Sequence, residues 1–166
     1  MVDILMHTAR LQMRELTEAD APFMYRMMNS EGWLQFIGDR HIRTHDDAAA
    51  YLRNVYIPHY AKHGFGFYVV SLIGNPEPLG LCGLIKRDGL EDVDIGFAFL
   101  PEYHGKGYAT EAAREVMNFA GSLGIANVVA ITTPDNDASI ALLRKIGLTQ
   151  HKPIEMNGEA LLLHSK

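Results

Sequence analysis

The chain has 166 residues, 48% apolar and 21% charged, which suits one globular domain with a proper core and excludes a disordered or fibrous chain. A formal net charge of -5 leaves no general basic surface and argues against nucleic acid as the main partner. Cys82 is the only cysteine, so no intrachain disulfide forms, and no apolar run nears the roughly 18 residues of a membrane span; the expectation is a soluble cytoplasmic protein with no membrane partner.

No repeat, low-complexity tract or linker divides the chain, so residues 1–166 are read as one domain. Residues 10–14 alternate as a short strand with Leu11 and Met13 on one face. Thr17, three residues before Asp20, N-caps a helix that carries Pro22 near its first turn. An irregular stretch, 32–44, holds the only tryptophan and leads to a helix over 47–62, capped by His45 or Asp46. Strands follow over 65–73 and 79–86, joined through Gly74-Asn75-Pro76. The clearest strand has Val93, Ile95, Phe97 and Phe99 alternating with Asp94, Gly96 and Ala98, which turns Asp94 away from the apolar face toward solvent. A helix over 108–122 shows one apolar stripe from Ala109 to Ala120. Then come a buried strand over 128–132, a helix from Pro134 to Ile146 stopped by Gly147, and two strands around the Asn157-Gly158 turn. The order of elements predicts a mixed α/β sheet.

Chemistry concentrates where the clear strand ends. His104, Gly105, Lys106, Gly107, Tyr108, Ala109 and Thr110 form a strand-to-helix loop with two glycines. Amides at a helix N-terminus are unpaired and point outward, and glycines let the backbone wrap an anion such as a pyrophosphate. Tyr108 after Gly107 excludes a P-loop, and Thr110 stands where a dinucleotide fingerprint needs its third glycine. A tight turn with no ligand explains the loop alone about equally well.

The stretch from Asp94 to Ala113, with Pro101-Glu102-Tyr103-His104-Gly105-Lys106-Gly107-Tyr108-Ala109-Thr110-Glu111-Ala112 at its heart, resembles motif A of the Gcn5-related N-acetyltransferases, the GNAT family. Pro134-Asp135-Asn136-Asp137-Ala138-Ser139, running on to Lys145-Ile146-Gly147-Leu148, resembles motif B. The motif A variant is most similar to that of the RimJ/RimL-like branch, which acetylates ribosomal-protein N-termini, and the opening Arg10-Leu11-Gln12-Met13-Arg14-Glu15-Leu16-Thr17-Glu18-Ala19-Asp20 is similar to that branch's first strand and helix. His104 replaces the branch's usual aromatic, and Glu102 replaces the Arg or Gln of the general motif.

This resemblance implies an α/β fold whose mixed, mostly antiparallel sheet has about six to seven strands, splays in the middle and carries helices on both faces. It implies acetyl-CoA as co-substrate, its pantetheine against Phe97, Phe99 and Leu100, its pyrophosphate on His104 to Thr110 and its arm near Asn136. Ser139 is the expected partner of the leaving thiolate; a helix cap for Asn136 and an exposed helix position for Ser139 are the plain alternatives. Trp33, Phe36, Arg40 and Arg43 are candidates to line the acceptor site, against ordinary packing and a solvated rim. Cys82 lies in an apolar strand and is read as core. The histidines His41, His45, His59 and His63 lack metal-ligand spacing, so no metal is expected, and no residue stands out as the base. The reaction so implied is direct acetyl transfer to a protein or peptide N-terminal amine by a monomer or homodimer. Alternatives are a small-molecule amine acceptor, a CoA-binding sensor without transfer, or a scaffold without ligand.

Overall fold

The computed structural model describes residues 2–166. Its sheet has eight strands in the order β1-β2-β3-β4-β5-β6-β8-β7, one or two more than the sequence suggested. These are β1 (Ile4–His7), β2 (Leu11–Glu15), β3 (Phe67–Leu72), β4 (Pro78–Ile85), β5 (Val93–Phe99), β6 (Val128–Thr132), β7 (Gln150–Met156) and β8 (Glu159–Ser165). The unexpected strand is β1, which pairs with β2; its four residues are too few to show a period. Every neighbouring pair is antiparallel except β5 and β6. Asn157 and Gly158 take positive φ (51° and 77°), the conformation a two-residue hairpin turn requires, and join β7 to β8.

Helices cover both faces of the sheet. On one side lie α1 (Ala21–Met28), α2 (Glu31–Phe36), α3 (His45–Tyr51) and α4 (Ile57–His63), with Met24, Met27, Ala48 and Leu52 packed on Val69 and Leu81. On the other, α5 (Tyr108–Ser122) sets Ala112, Ala113, Val116 and Ala120 against Tyr68, Cys82 and Leu84. Small residues bring α5 close to the strands, and burying each Val or Leu side chain there contributes about 1.5–3 kcal/mol. The last helix, α6 (Asp137–Lys145), buries Leu142 and Leu143 in the same cluster.

Three local readings change. The start of the supposedly irregular stretch, 32–36, belongs to the helix Glu31–Phe36, entered from an extended Ser30 whose carbonyl accepts the Leu34 amide at 3.0 Å; Gly32 had masked the pattern. The second long helix begins at His45, and its cap is Thr44 rather than His45 or Asp46. The Thr44 hydroxyl accepts the Asp47 amide at 3.0 Å while the Asp47 carboxylate accepts the Thr44 amide at 3.1 Å, a reciprocal capping box. Between α3 and α4 the coil widens into a π-helical turn, Leu52–Tyr56, so the two run on as one rod with one extra residue in its middle.

Candidate active site

The site begins where two strands part. Parallel β5 and β6 share two rungs, Val93 with Val128 and Asp94 with Val129, and then diverge. The gap is a cleft of about 930 Å³, walled by β5, β6, α2, the π-helical turn and the starts of α5 and α6. On the far edge of β5 the Leu100 amide bonds the Leu79 carbonyl at 3.0 Å. Alternation along a strand then turns the backbone groups of Phe97 and Phe99 the other way, toward the gap. Leu100 is a correction: its amide is committed to β4 and its side chain, 2% exposed, packs in the core, so it offers the cleft nothing.

His104, Gly105, Gly107, Tyr108, Ala109 and Thr110 all line the cleft; Lys106 stands outside its wall. Among the described residues the amides of Gly107, Tyr108, Ala109 and Thr110 have no partner in the chain, so four donors converge at the head of α5. Gly107 has φ +81°, a conformation that an L side chain resists. In place of the branch's usual aromatic, the His104 ring reaches back with Nε2 2.7 Å from the Phe99 carbonyl oxygen. Glu102 leaves the loop to pair with Arg26.

The loop is braced from the other end of the sequence. Glu111, in the first turn of α5, accepts the Thr8 hydroxyl at 2.5 Å, the Arg10 amide at 3.0 Å and Arg10 Nε at 2.7 Å. Arg10 Nη1 also donates to the Lys106 carbonyl at 3.1 Å, and the guanidinium lies 4.6 Å from the centre of the Tyr108 ring. Burial pushes the Glu111 carboxyl up, yet the hydrogen bonds from Thr8 and Arg10 outweigh it and hold it below its ordinary range. Thr8, Arg10, Arg114 and Lys145 continue outward from Gly107 as the wall of a second hollow, about 730 Å³.

Asn136 and Ser139 face each other across the start of α6 and both line the cleft. Asn136 Oδ1 accepts the Ser139 amide at 3.3 Å, so Asn136 is a helix cap, while its Nδ2 and the Ser139 hydroxyl have no partner among the described residues.

Asp94 corrects the sequence reading most strongly. It is 1% exposed, not turned to solvent, and sits on the last shared rung of β5 and β6. Its carboxylate is paired with Arg87 Nε, from the β4–β5 connection. Desolvation raises the Asp94 carboxyl to about 6, against the pull of the Arg87 charge and hydrogen bond. A carboxyl that ionises near neutrality inside a cleft has the properties of a general base. Cys82 is fully buried, and burial pushes its thiol up, away from nucleophilic use.

Trp33, Phe36 and Arg40 also line the cleft, joined by Tyr51, Tyr56 and Phe67. Arg43 is spent on Asp39, with Nη2 2.7 Å from its carboxylate, and does not line the cleft. Trp33 is 5% exposed and its Nε1 has no partner, an orphan donor costing about 1–3 kcal/mol if nothing meets it. Among the described residues no group of three or more His, Cys, Asp or Glu side chains is arranged to hold a metal, and no helix is long and apolar enough to cross a membrane.

Comparison with known proteins agrees with this geometry. Residues 10–149 match the acetyltransferase (GNAT) domain model. The N-acetyltransferase YoaA of Bacillus subtilis, itself uncharacterised, is 24% identical over 149 residues, covering 86% of this chain and 81% of that one. An acetyl transferase from Salmonella typhimurium that modifies the N-terminal serine of a 50S ribosomal subunit protein superposes with TM-score 0.80 at 16% identity, over 99% of this chain and 98% of the other. An aminoglycoside acetyltransferase solved with coenzyme A superposes with TM-score 0.76 at 19% identity, over 94% of each chain. A domain match spanning most of the sequence, on a sheet that splays beside an amide-lined loop, places this chain in the GNAT family of acetyl-CoA-dependent acetyltransferases.

Proposed function

We propose that the chain moves an acetyl group from acetyl-CoA to the primary amine at a protein or peptide N-terminus. The observation that carries this reading is the position of Asp94, a buried carboxyl on the rung where β5 and β6 part, at the closed end of a cleft whose mouth is lined by free amides.

Acetyl-CoA supplies an acetyl group activated as a thioester. Its diphosphate suits the free amides of Gly107, Tyr108, Ala109 and Thr110, with Arg10, Arg114 and Lys145 offering cations alongside. The backbone edge at Phe97 and Phe99, where His104 already meets the Phe99 carbonyl, suits the amides of the pantetheine arm chiefly through Phe97, as an added strand would pair there, and Asn136 Nδ2 offers one further donor. Asp94 takes a proton from the incoming amine, and Arg87 keeps the carboxylate oriented for it. The Ser139 hydroxyl donates to the departing sulfur. Asp94 is the one carboxylate on the cleft wall among the described residues, a poor match to a polycationic acceptor, whereas a single N-terminal amine needs only one.

Thiol release measured over N-terminal peptides and free small amines tests the reading. Turnover of peptides with little or none of the free amines is expected; turnover of free amines alone would sink it. Absence of micromolar acetyl-CoA binding by titration calorimetry would remove the donor from the argument as well.

A further inference from the structure

The acceptor end of the cleft is richer in donors than one amine requires. Arg40 makes no ion pair or hydrogen bond among the described residues, and Lys86 Nζ is met only by the carbonyls of Leu90 and Glu91. Arg87 commits Nε to Asp94, while its two Nη atoms have no partner among the described residues. Trp33 Nε1 is buried and unpaired, and Trp33 lines the same cleft. Tyr56 joins these groups: both Arg40 and Arg87 act electrostatically on its hydroxyl, which takes no hydrogen bond in the chain. In a protein of net charge -5, this is a local excess of cations and orphan donors in one cavity.

Resting on the N-terminal acetyltransferase reading above, we infer that the preferred acceptor carries a carboxylate side chain within its first two residues, received by Arg40, the outer edge of Arg87 and the Trp33 indole N–H. Arg87 is the link between the two ends of such a substrate. Its Nε holds the carboxylate that takes the amine's proton, and its two Nη atoms remain as a planar pair of donors without a partner among the described residues, a shape that suits a second carboxylate. Trp33 then supplies a neutral donor from a buried position, where an unmet N–H discriminates against acceptors that lack an oxygen to place there.

The test uses the full chain, acetyl-CoA and matched peptides beginning Ser-Glu, Ser-Gln and Ser-Lys, with a second set beginning Glu-Ser and Gln-Ser. Glu and Gln are nearly isosteric, so their ratio isolates charge. A kcat/KM advantage of about tenfold or more for Glu over Gln in at least one set is expected, with Ser-Lys the poorest. In Arg40→Met the ratio should fall to about twofold or less, and Trp33→Phe, which removes the N–H but keeps an aromatic ring, should lower it in part. Equal rates for Glu and Gln peptides, preference for Lys, or a ratio unchanged in Arg40→Met would overturn the anionic-acceptor inference while leaving N-terminal acetylation standing. Failure to acetylate any peptide while acetyl-CoA still binds overturns both readings together.

Discussion

Arg10 and Glu111 are 101 residues apart in sequence, yet Arg10 Nη2 lies 2.6 Å from the Glu111 carboxylate and fastens the head of α5 to the β1–β2 connection. The same arginine donates to the Lys106 carbonyl, so the loop before α5 is held from outside at two points. Glu111→Gln or Arg10→Met should therefore loosen the loop more than the fold. Because Arg10 is almost half exposed, the pair contributes little to global stability, about 1 kcal/mol or less. Calorimetric melting should shift by a few degrees at most, while acetyl-CoA affinity measured by titration falls severalfold. A large loss of Tm with unchanged affinity would make the contact purely structural.

Gly107→Val asks whether the free amides hold the donor. A Cβ at φ +81° is strained, most of all when branched, and would stand 3.4 Å from Arg10 Nη2. Circular dichroism should show the fold retained and calorimetry should show acetyl-CoA binding lost. Undiminished binding would move the diphosphate elsewhere.

Asp94 sets the expected pH dependence. With a folded value of about 6, kcat should rise as pH increases through 6 and the carboxyl loses its proton. Asp94→Asn should remove that limb and lower kcat about 100-fold or more. Stability runs the opposite way. The folded state holds this proton more tightly than the unfolded chain, where the value is about 3.9, so Asp94 makes stability fall between pH 4 and 6 and level off above. Urea unfolding of the Asn variant across that window should show a flatter profile than the parent protein; an equally steep fall would point to another group.

Ser139→Ala and Asn136→Ala should separate chemistry from binding. The Ser139 hydroxyl has no structural partner, so its loss should lower kcat while acetyl-CoA affinity changes little. Asn136 also caps α6; its loss should cost about 0.5–2 kcal/mol of stability and weaken acetyl-CoA binding. Equal losses of affinity and turnover in Ser139→Ala would make it a binding residue.

The elements legible in the sequence are those whose signal is local. Alternation marked β5, an alanine stripe marked α5 over the range it occupies, and the paired glycines marked the loop between them. Asp94 was misplaced because alternation assigns a face but cannot say what covers it. Its face was taken as solvent, whereas α1 to α4 lie over that side of the sheet. Leu100 was overextended for the converse reason: strand phase decides which backbone groups face the gap, and the phase follows from the Leu79 pairing. The Arg10 brace and the Arg87–Asp94 pair join separate elements, and no spacing along the chain announces them.

The widened turn at Leu52–Tyr56 has a consequence of a different kind. One additional residue in a helix turns everything after it by about 100° relative to everything before it. Tyr51 before that phase change, Val55 and Tyr56 within it and His59 beyond it all stand on the cavity wall. The shape of the cleft is thus written partly in a count of residues, and excising one residue there would re-aim part of its wall while leaving nearly every amino acid in place.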